Sequence, residues 1–342
     1  MMIEEINKTI KKYFPARWTK KYIEFFIGKP RFLVNVKAID NSLNAPLRNF
    51  ILRGGKRWRP VLFLTLLKLF GLDYKKYLDI AFSIELVHNG TLIIDDIEDS
   101  AELRRGEKTC HKIFGLDVAV NVGAAAHFLA TQIIAKNNKL TEMQKLRILK
   151  IYNEEIIKVY FGQSLDIYWH KKPQLITKEE YLEMCRLKTG GLVRMAVRIA
   201  SAVANKSHKL EKDLEKFAEL IGVAFQVIDD SLDLINSDKL GKSFGNDITE
   251  GKLSLPVVLA LHKIDKQKKE RLIEILKSHT HNLRLLKEAN KIIKDSGTPK
   301  DAIIYAGNLA ETAWQKIEKK LPQNETLKEL KNLVDFLISR DH

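Results

Sequence analysis

Apolar residues recur at helical spacing along most of the chain, and two stretches show this most clearly. In each of them an apolar helix face is followed at once by acids, over residues 78–99 and again over residues 213–235. The apolar positions of the first stretch include Ile80, Ile84, Val87 and Ile94. No sustained strand-type alternation is found, so the pattern predicts an all-α protein in which two long helices end in acid.

Few residues interrupt this helical pattern. The chain has 342 residues and 8 prolines, and no Ser- or Gly-rich stretch divides it. We expect one domain over residues 1–342, with a basic N-terminal arm over 1–40 and a C-terminal helical hairpin over 280–342. The two acid-ending helices could be pseudo-symmetric halves that face one another.

The net charge of +15 leaves three interpretations open. A lysine-rich surface is the simplest, and attraction to anionic lipid or anionic substrate is the second. The third, nucleic-acid binding, lacks any recognised motif or basic-aromatic platform, so we expect no nucleic-acid partner.

Cysteine usage and hydropathy bear on the compartment. Cys110 and Cys185 are too few for a disulfide framework, which favours a reducing compartment. The N-terminus lacks a signal-peptide pattern, and the apolar stretch 61–72 is too short to span a bilayer. We expect a cytoplasmic protein without stable membrane insertion, and peripheral membrane contact stays open.

The first acidic cluster is Asp95-Asp96-Ile97-Glu98-Asp99. Helix geometry places Asp95 and Asp99 one turn apart on the same face, with Asp96 beside them. Carboxylates this close repel one another, and a divalent cation removes that cost. Hard oxygen ligands with room for water favour Mg²⁺ that bridges to a phosphate.

The second acidic cluster, Asp229-Asp230-Ser231-Leu232-Asp233, has the same spacing. A single cluster of this kind would be a weak signal, because acids on an exposed helix face are usually just solvated. Two copies, each at the end of an apolar helix, make a functional site the better interpretation.

Basic segments accompany both clusters. Glycines that allow close backbone approach stand beside cations that can hold phosphate. These segments are Gly54-Gly55-Lys56-Arg57-Trp58-Arg59-Pro60, Arg104-Arg105-Gly106, Lys188-Thr189-Gly190-Gly191, Gly241-Lys242 and Gly251-Lys252. None is a Walker-type loop. The set predicts two polyphosphate-like ligands, one held through metal and one held directly by cations, with an apolar interior for a greasy tail.

In these motifs the sequence resembles the trans-isoprenyl diphosphate synthase family. The shared motifs are those above together with His88, Gly162-Gln163-x-x-Asp166 and Phe225-Gln226, in the family's order over roughly residues 50–260. The stretches around His88, Asp166 and Lys252 look like the eukaryotic-type geranylgeranyl branch. The chain departs from some members of that branch by keeping Asp233.

The resemblance implies an isoprenoid synthase-type helical bundle around a deep central cavity, usually in a homodimer. It implies that isopentenyl diphosphate is joined head to tail to dimethylallyl, geranyl or farnesyl diphosphate. The implied Mg²⁺ ligands are Asp95, Asp96, Asp99, Asp229, Asp230 and Asp233. The implied contacts of the allylic diphosphate are Arg104, Lys188, Thr189, Gln226, Lys242 and Lys252. Those of isopentenyl diphosphate are Lys56, Arg59, His88 and Arg105, although His88 could instead be a buried structural histidine.

The implied chemistry is electrostatic. Ionisation of the allylic carbon–oxygen bond would depend most on Lys188, Lys242, Asp95 and Asp229, which stabilise the leaving diphosphate. The isopentenyl double bond would attack the cation, and a proton would then be lost, with water kept out of the site.

Product length should depend on residues behind the first cluster. Gly90 and Thr91 are small where the family's short-chain members carry aromatics, which argues against a farnesyl product. We expect His127, Phe128 and His111 to form a floor that stops growth at geranylgeranyl diphosphate.

Four alternatives remain. A longer-chain polyprenyl synthase and a farnesyl diphosphate synthase differ only in cavity depth. A class I terpene cyclase would not need the Lys56, Arg59 and Arg105 set. A regulatory subunit would not need complete acidic clusters.

Overall fold

The computed structural model describes residues 1–235 and 246–339 and confirms the all-α prediction. The chain forms two compact units. The first comprises Met1–Tyr152 and Met195–Lys206, and the second comprises Asn153–Arg194 and the chain from Ser207 onward. Two long helices, α9 (Glu142–Lys171) and α10 (Lys178–Val203), have residues in both units.

The first unit is built around two apolar helices, α6 (Leu78–Glu98) and α8 (Leu116–Ala135). Besides these and parts of α9 and α10, this unit contains α1 (Met2–Tyr13), α2 (Lys20–Ile27), α3 (Val36–Ile39), α4 (Ala45–Leu52), α5 (Trp58–Leu69) and α7 (Cys110–Phe114). A π-helical turn covers Asp40–Asn44 and a 3₁₀ turn covers Tyr74–Tyr77. A short antiparallel hairpin joins β1 (Leu103–Arg104) to β2 (Glu107–Lys108). The first predicted acid-ending helix is α6, with bounds close to those expected.

Helices α6 and α8 approach closely because each has a glycine at the contact. A Cβ on Gly90 would lie 2.8 Å from Ala126 Cβ, and a Cβ on Gly123 would lie 2.6 Å from Ile94 Cδ1. Among the described residues α8 is the one helix long and apolar enough to cross a membrane by composition. Its glycine side packs against α6 inside the first unit, and 44% of its apolar window is buried.

The predicted N-terminal arm is folded into the first unit. Tyr13 stacks on Phe82 with ring centroids 5.4 Å apart, and Phe14 meets the same ring edge-on at 5.8 Å. Trp18 Nε1 donates to the Tyr13 carbonyl at 2.9 Å. These aromatic contacts hold residues 1–18 against α6.

The second unit contains the other acid-ending helix and the C-terminal helices. They are α11 (His208–Ile235), α12 (Asn246–Thr249), α13 (Leu255–Lys263), α14 (Lys266–Lys277), α15 (Leu283–Asp295), α16 (Thr298–Glu318) and α17 (Glu325–Ile338). The segment expected as a C-terminal hairpin therefore holds three helices. Gly297, in a left-handed conformation with Pro299 following, separates α15 from α16.

Glycines also set the packing of α9, α10 and α11 within the second unit. A Cβ on Gly162 would lie 2.4 Å from the Lys188 backbone nitrogen, and one on Gly222 would lie 2.8 Å from Gly190 Cα. The motif glycines of this unit therefore serve close helix packing as well as any approach to ligand.

Beneath that packing lies a buried charge network centred on Arg194, whose side chain is fully buried. Its Nε donates to Glu155 at 2.9 Å, and its Nη1 donates to Glu219 at 3.1 Å and to the Arg186 carbonyl at 2.7 Å. The network ties α9, α10 and α11 together around the predicted Lys188-Thr189 segment.

Candidate active site

A cluster of cations surrounds the turn between α4 and α5. Gly54 and Gly55 have φ of +93° and +126°, a region that favours glycine. Arg105 donates to the Gly54 carbonyl, and a Cβ on Gly55 would lie 2.8 Å from Arg105 Nη2. Arg59 Nη1 lies 3.2 Å from His88 Nε2. The structure thus brings the predicted Arg59, His88 and Arg105 together in the first unit.

The electrostatics of this cluster favour an anion. Burial lowers the pKa of His88 well below its usual value, and Arg59, Arg105, Arg104 and Arg57 lower it further. Burial, followed by the charge of Arg57, lowers the pKa of Arg105 to about 10. The arginines therefore carry their positive charges in a partly desolvated environment, where a bound diphosphate would offset the repulsion between them.

Support for the cluster comes from residues that were not predicted to contact a ligand. Arg57, buried and with φ of +49°, donates to Glu85 at 2.6 Å. Asn89 Nδ2 donates to the same carboxylate at 2.9 Å. The available signal was two polar residues within the apolar helix α6, one turn apart and flanking His88. Lys56, just before Arg57, is exposed.

The first acidic cluster lies at the end of α6, and its three aspartates differ in solvent exposure. Asp95 and Asp99 are half-buried, whereas Asp96 is fully buried. Arg104 Nε donates to Asp96 Oδ1 at 2.7 Å, and Arg104 Nη2 lies 3.4 Å from Asp95 Oδ2. Burial raises the pKa of Asp96 to about 6, and Arg104 opposes that rise. In this structure Arg104, predicted to contact the allylic diphosphate, contacts the acids.

The β1–β2 hairpin explains how neighbouring arginines serve different partners. Arg104 is the last residue of β1, whereas Arg105 is the first residue of the two-residue turn, so their side chains leave the hairpin in different directions. Arg104 reaches the acidic cluster, while Arg105, with φ of +56°, reaches the Gly54 carbonyl. Gly106 completes the turn with φ of +78°.

The second acidic cluster lies at the end of α11 and is held by neutral donors. Tyr181 Oη donates to Asp230 Oδ2 at 2.7 Å, and Gln226 Nε2 donates to Asp230 Oδ1 at 2.7 Å. Thr189 Oγ1 in turn donates to Gln226 Oε1 at 2.7 Å. Burial, then the charge of Asp247, raises the pKa of Asp230 to about 8. Three of the predicted residues thus form one chain of hydrogen bonds, and Tyr181 was missed.

The remaining predicted cations of this unit have acidic neighbours. Lys188 Nζ lies 2.6 Å from Asp166 Oδ2, and Lys252 Nζ lies 2.5 Å from Glu250 Oε2. Lys242 lies outside the described residues. A bound anion would have to compete with these carboxylates or be screened from them by cations.

Comparison with known proteins decides which family combines these features. The polyprenyl synthetase family model matches residues 40–293. The chain belongs to the polyprenyl synthetase family. It is 36% identical to a short chain isoprenyl diphosphate synthase of Methanocaldococcus jannaschii, over 88% of this chain and 90% of that protein. It is 33% identical to a geranylgeranyl pyrophosphate synthase of Geoglobus acetivorans, over 86% and 90%.

A solved structure extends the likeness to the fold. The geranylgeranyl pyrophosphate synthase of Corynebacterium glutamicum, complexed with isoprenyl diphosphate and magnesium, superposes on this chain with a TM-score of 0.85. It is 25% identical and matches 99% of this chain and 98% of its own. The fold is therefore that of the prenyl synthases of this family.

The family uses a divalent metal. In this chain the carboxylates of the first acidic cluster could bind magnesium, although they do not form a complete ligand set by themselves. Within residues 1–235 and 246–339, no three Asp, Glu, His or Cys side chains converge as a metal cage. Mg²⁺ seldom needs one, because it is usually held by one or two carboxylates, water and substrate phosphates. Asp96 Oδ2 is buried and accepts no hydrogen bond from the described residues. Such an oxygen beside two half-buried carboxylates fits a hard cation.

The predicted chain-length residues do not all face inward. Phe128 is 73% exposed, so it closes no cavity within a single chain, because α8 turns that position outward. Gly90 contacts Ala126, so its small size serves the crossing of α6 and α8. Thr91 and His111 are half-buried. His127 is buried, with Nδ1 3.0 Å from the Gly123 carbonyl, and burial lowers its pKa.

Proposed function

We propose that this polyprenyl synthetase is a magnesium-dependent, chain-elongating trans-prenyltransferase whose end product is geranylgeranyl diphosphate. One observation carries the proposal: helix α6 bears both a cationic site at His88 and an acidic site at Asp95. Seven residues of helix separate them, which is about 10 Å of rise. A single rigid element thereby offers one place for a directly held diphosphate and another for a metal-held one.

The directly held ligand is isopentenyl diphosphate. Arg59 is buried, His88 and Arg105 are half-buried beside it, and exposed Lys56 adds charge at the edge. His88 stays uncharged near neutral pH, because its pKa is lowered, so it can donate one N–H without repelling the arginines further. Fork-shaped guanidinium groups suit phosphate oxygens.

The metal-held ligand is the allylic diphosphate. Asp95 and Asp99, with Asp96, would hold magnesium in the first unit, and Asp229 and Asp233, with Asp230, would do so in the second. Bound magnesium would offset the negative charge that develops on the leaving diphosphate. Lys188, Thr189, Gln226, Lys242 and Lys252 would orient that group and donate to its oxygens.

The carbon chemistry then needs exclusion of water more than it needs a side-chain base. The allylic carbon–oxygen bond ionises, the isopentenyl double bond attacks the resulting cation, and one proton leaves to form the new double bond. The released diphosphate is proposed as the acceptor of that proton. We propose His127 as part of the floor that ends growth, because it is buried one turn beyond Gly123.

We also propose that the enzyme is a homodimer. The outer face of α8 exposes large apolar side chains: Leu116 is 58% exposed, Val120 47% and Phe128 73%. A second copy would bury such a patch. Light scattering should give a dimer for the wild type and a monomer for a Val120→Glu/Phe128→Glu variant. Ile304→Glu, at another exposed apolar position, is the control and should stay dimeric.

The site of action is proposed to be the cytoplasm. Cys110 and Cys185 are both free and buried, which suits a reducing compartment. Fractionation of cells that produce the protein would test this, and recovery of the chain with membranes at high salt would contradict it.

The function itself is tested by incubating the purified chain with isopentenyl diphosphate, magnesium and each of the three allylic primers. We expect geranylgeranyl diphosphate from all three, and no product after chelation of the metal. Longer products would instead support a polyprenyl synthase, and no product from any primer would contradict the proposal.

A further inference from the structure

Both carboxylate oxygens of Asp230 accept a hydrogen bond from another side chain. A carboxylate that only bound a metal would not need these two donors. Tyr181 donates to Oδ2 and Gln226 donates to Oδ1, each at 2.7 Å. Gln226 is itself fixed by Thr189. These contacts leave the carboxylate one orientation, because rotating it would break two short hydrogen bonds at once.

Tyr181 is buried, and packing alone would not explain why its hydroxyl donates to a carboxylate. The side chain is fully buried near the start of α10, 49 residues before its partner. A buried tyrosine hydroxyl needs an acceptor, and a backbone carbonyl would serve at lower cost than a carboxylate. Its partner is instead the middle acid of the cluster, which is half-buried like Asp229 and Asp233.

We propose that Tyr181 is a positioning residue for the second acidic cluster. Its hydroxyl holds Asp230 in the orientation from which the cluster accepts a magnesium diphosphate complex. The inference rests on the proposed function, since it assigns Tyr181 a part in that same site. Through Gln226 and Thr189 the same hydrogen bonds link the cluster to the Lys188-Thr189 segment, so orientation of the acids and of that segment is coupled.

A Tyr181→Phe variant isolates the hydroxyl, because it removes one oxygen and keeps the ring that fills the core. Tyr74→Phe is a matched control. Tyr74 is also buried, and its hydroxyl donates to the Glu5 carboxylate at 3.0 Å, in the first unit and outside both acidic clusters. Both variants lose a part-buried tyrosine–carboxylate hydrogen bond, and only one of those bonds belongs to the proposed site.

The first readout needs no turnover. Thermal unfolding is followed at fixed inorganic pyrophosphate while magnesium is titrated, and the magnesium concentration that gives half the stabilisation is measured. We expect this concentration to rise by roughly tenfold or more in Tyr181→Phe, the size expected for a lost hydrogen bond to a charged group. Tyr74→Phe should match the wild type within about twofold. An unchanged value in Tyr181→Phe overturns the inference.

The second readout is a double-mutant cycle with Asp230→Asn. If Tyr181 acts through Asp230, its replacement should cost nothing further in an Asp230→Asn background. Full additivity of the two effects on the magnesium titration would contradict the assignment.

Product analysis separates this inference from the proposed function. A wild-type chain that makes no prenyl product overturns both. A wild type that elongates primers, with a Tyr181→Phe variant of unchanged magnesium dependence and unchanged kcat, overturns the role of Tyr181 alone. The expected pattern is a kcat lowered by roughly tenfold with the KM for isopentenyl diphosphate unchanged.

Discussion

The two acidic clusters have the same spacing but hold their middle acid differently. In the first unit Asp96 is held by a full positive charge, that of Arg104. In the second unit Asp230 is held by the neutral donors Tyr181 and Gln226. The pKa of Asp96 is raised by burial to about 6, and the charge of Arg104 opposes that rise. The pKa of Asp230 is raised to about 8 by burial and by the charge of Asp247. Two clusters with the same spacing can therefore differ in how strongly the ionisation of their middle carboxyl group depends on a bound cation.

Two buried ion pairs support the clusters and should give the largest effects. Glu85→Gln would leave Arg57 uncompensated in the first unit, and Glu155→Gln would remove a partner of Arg194 in the second. Each should lower the free energy of unfolding by about 3–5 kcal/mol. Denaturant titration measures the loss.

The control for those variants is Asp301→Asn, which breaks an exposed pair with Lys263. It should cost less than about 1 kcal/mol. Equal losses in Glu85→Gln and Asp301→Asn would show that the pair beneath the cationic cluster is not a structural support.

The outer acids should give the next largest effect, and they compare the clusters directly. Asp95→Ala and Asp229→Ala should each lower kcat by at least ~10²-fold, as lost electrostatic stabilisers do. Steady-state assays at saturating magnesium measure this. Glu102→Ala, an exposed acid that pairs with Lys112, should change kcat less than about twofold. Near-normal turnover of Asp95→Ala would refute the metal assignment.

Exchange of the cation beside Asp96 should give a smaller effect. Arg104→Gln keeps a hydrogen-bond donor but removes the charge, which makes the first cluster resemble the second. We expect kcat to fall roughly tenfold, the size of one charge-assisted hydrogen bond. A variant with a wild-type rate would mean that the charge of Arg104 does not distinguish the clusters.

The smallest effect concerns His88 and pH. Its pKa in the folded chain is lowered, so the unfolded chain binds a proton more readily below pH about 6.5. Stability should be fully present above that pH and should be lost as the pH falls below it, by at most about 1.4 kcal/mol per pH unit from this group. Denaturant titrations should show a shallower loss in His88→Asn, and parallel curves would contradict the burial of a neutral His88.

Much of the fold follows from periodicity alone. Helices α6 and α11 were predicted because their apolar faces are long, and the acids at their ends because two equal spacings are hard to obtain by chance. The all-α class and the family follow from the same residues. Local spacing is sufficient for these features, since each depends on residues within one helix.

Contacts between residues that are far apart in the chain could not be predicted from local sequence patterns. Nothing local marks Tyr181 as the partner of Asp230, and the three C-terminal helices were taken for two. The outward position of Phe128 depends on which face of α8 meets α6, and two glycines set that contact. The role predicted for Gly90 in product length stays a prediction, and the structure adds that its lack of a side chain admits a neighbouring helix.

The most direct test of the central claim is the mass of the product formed from farnesyl diphosphate and excess isopentenyl diphosphate with magnesium. A trans-prenyltransferase that ends at geranylgeranyl diphosphate should add one isopentenyl unit per primer and then stop. Recovery of unextended farnesyl diphosphate, or of farnesol alone, would contradict the account.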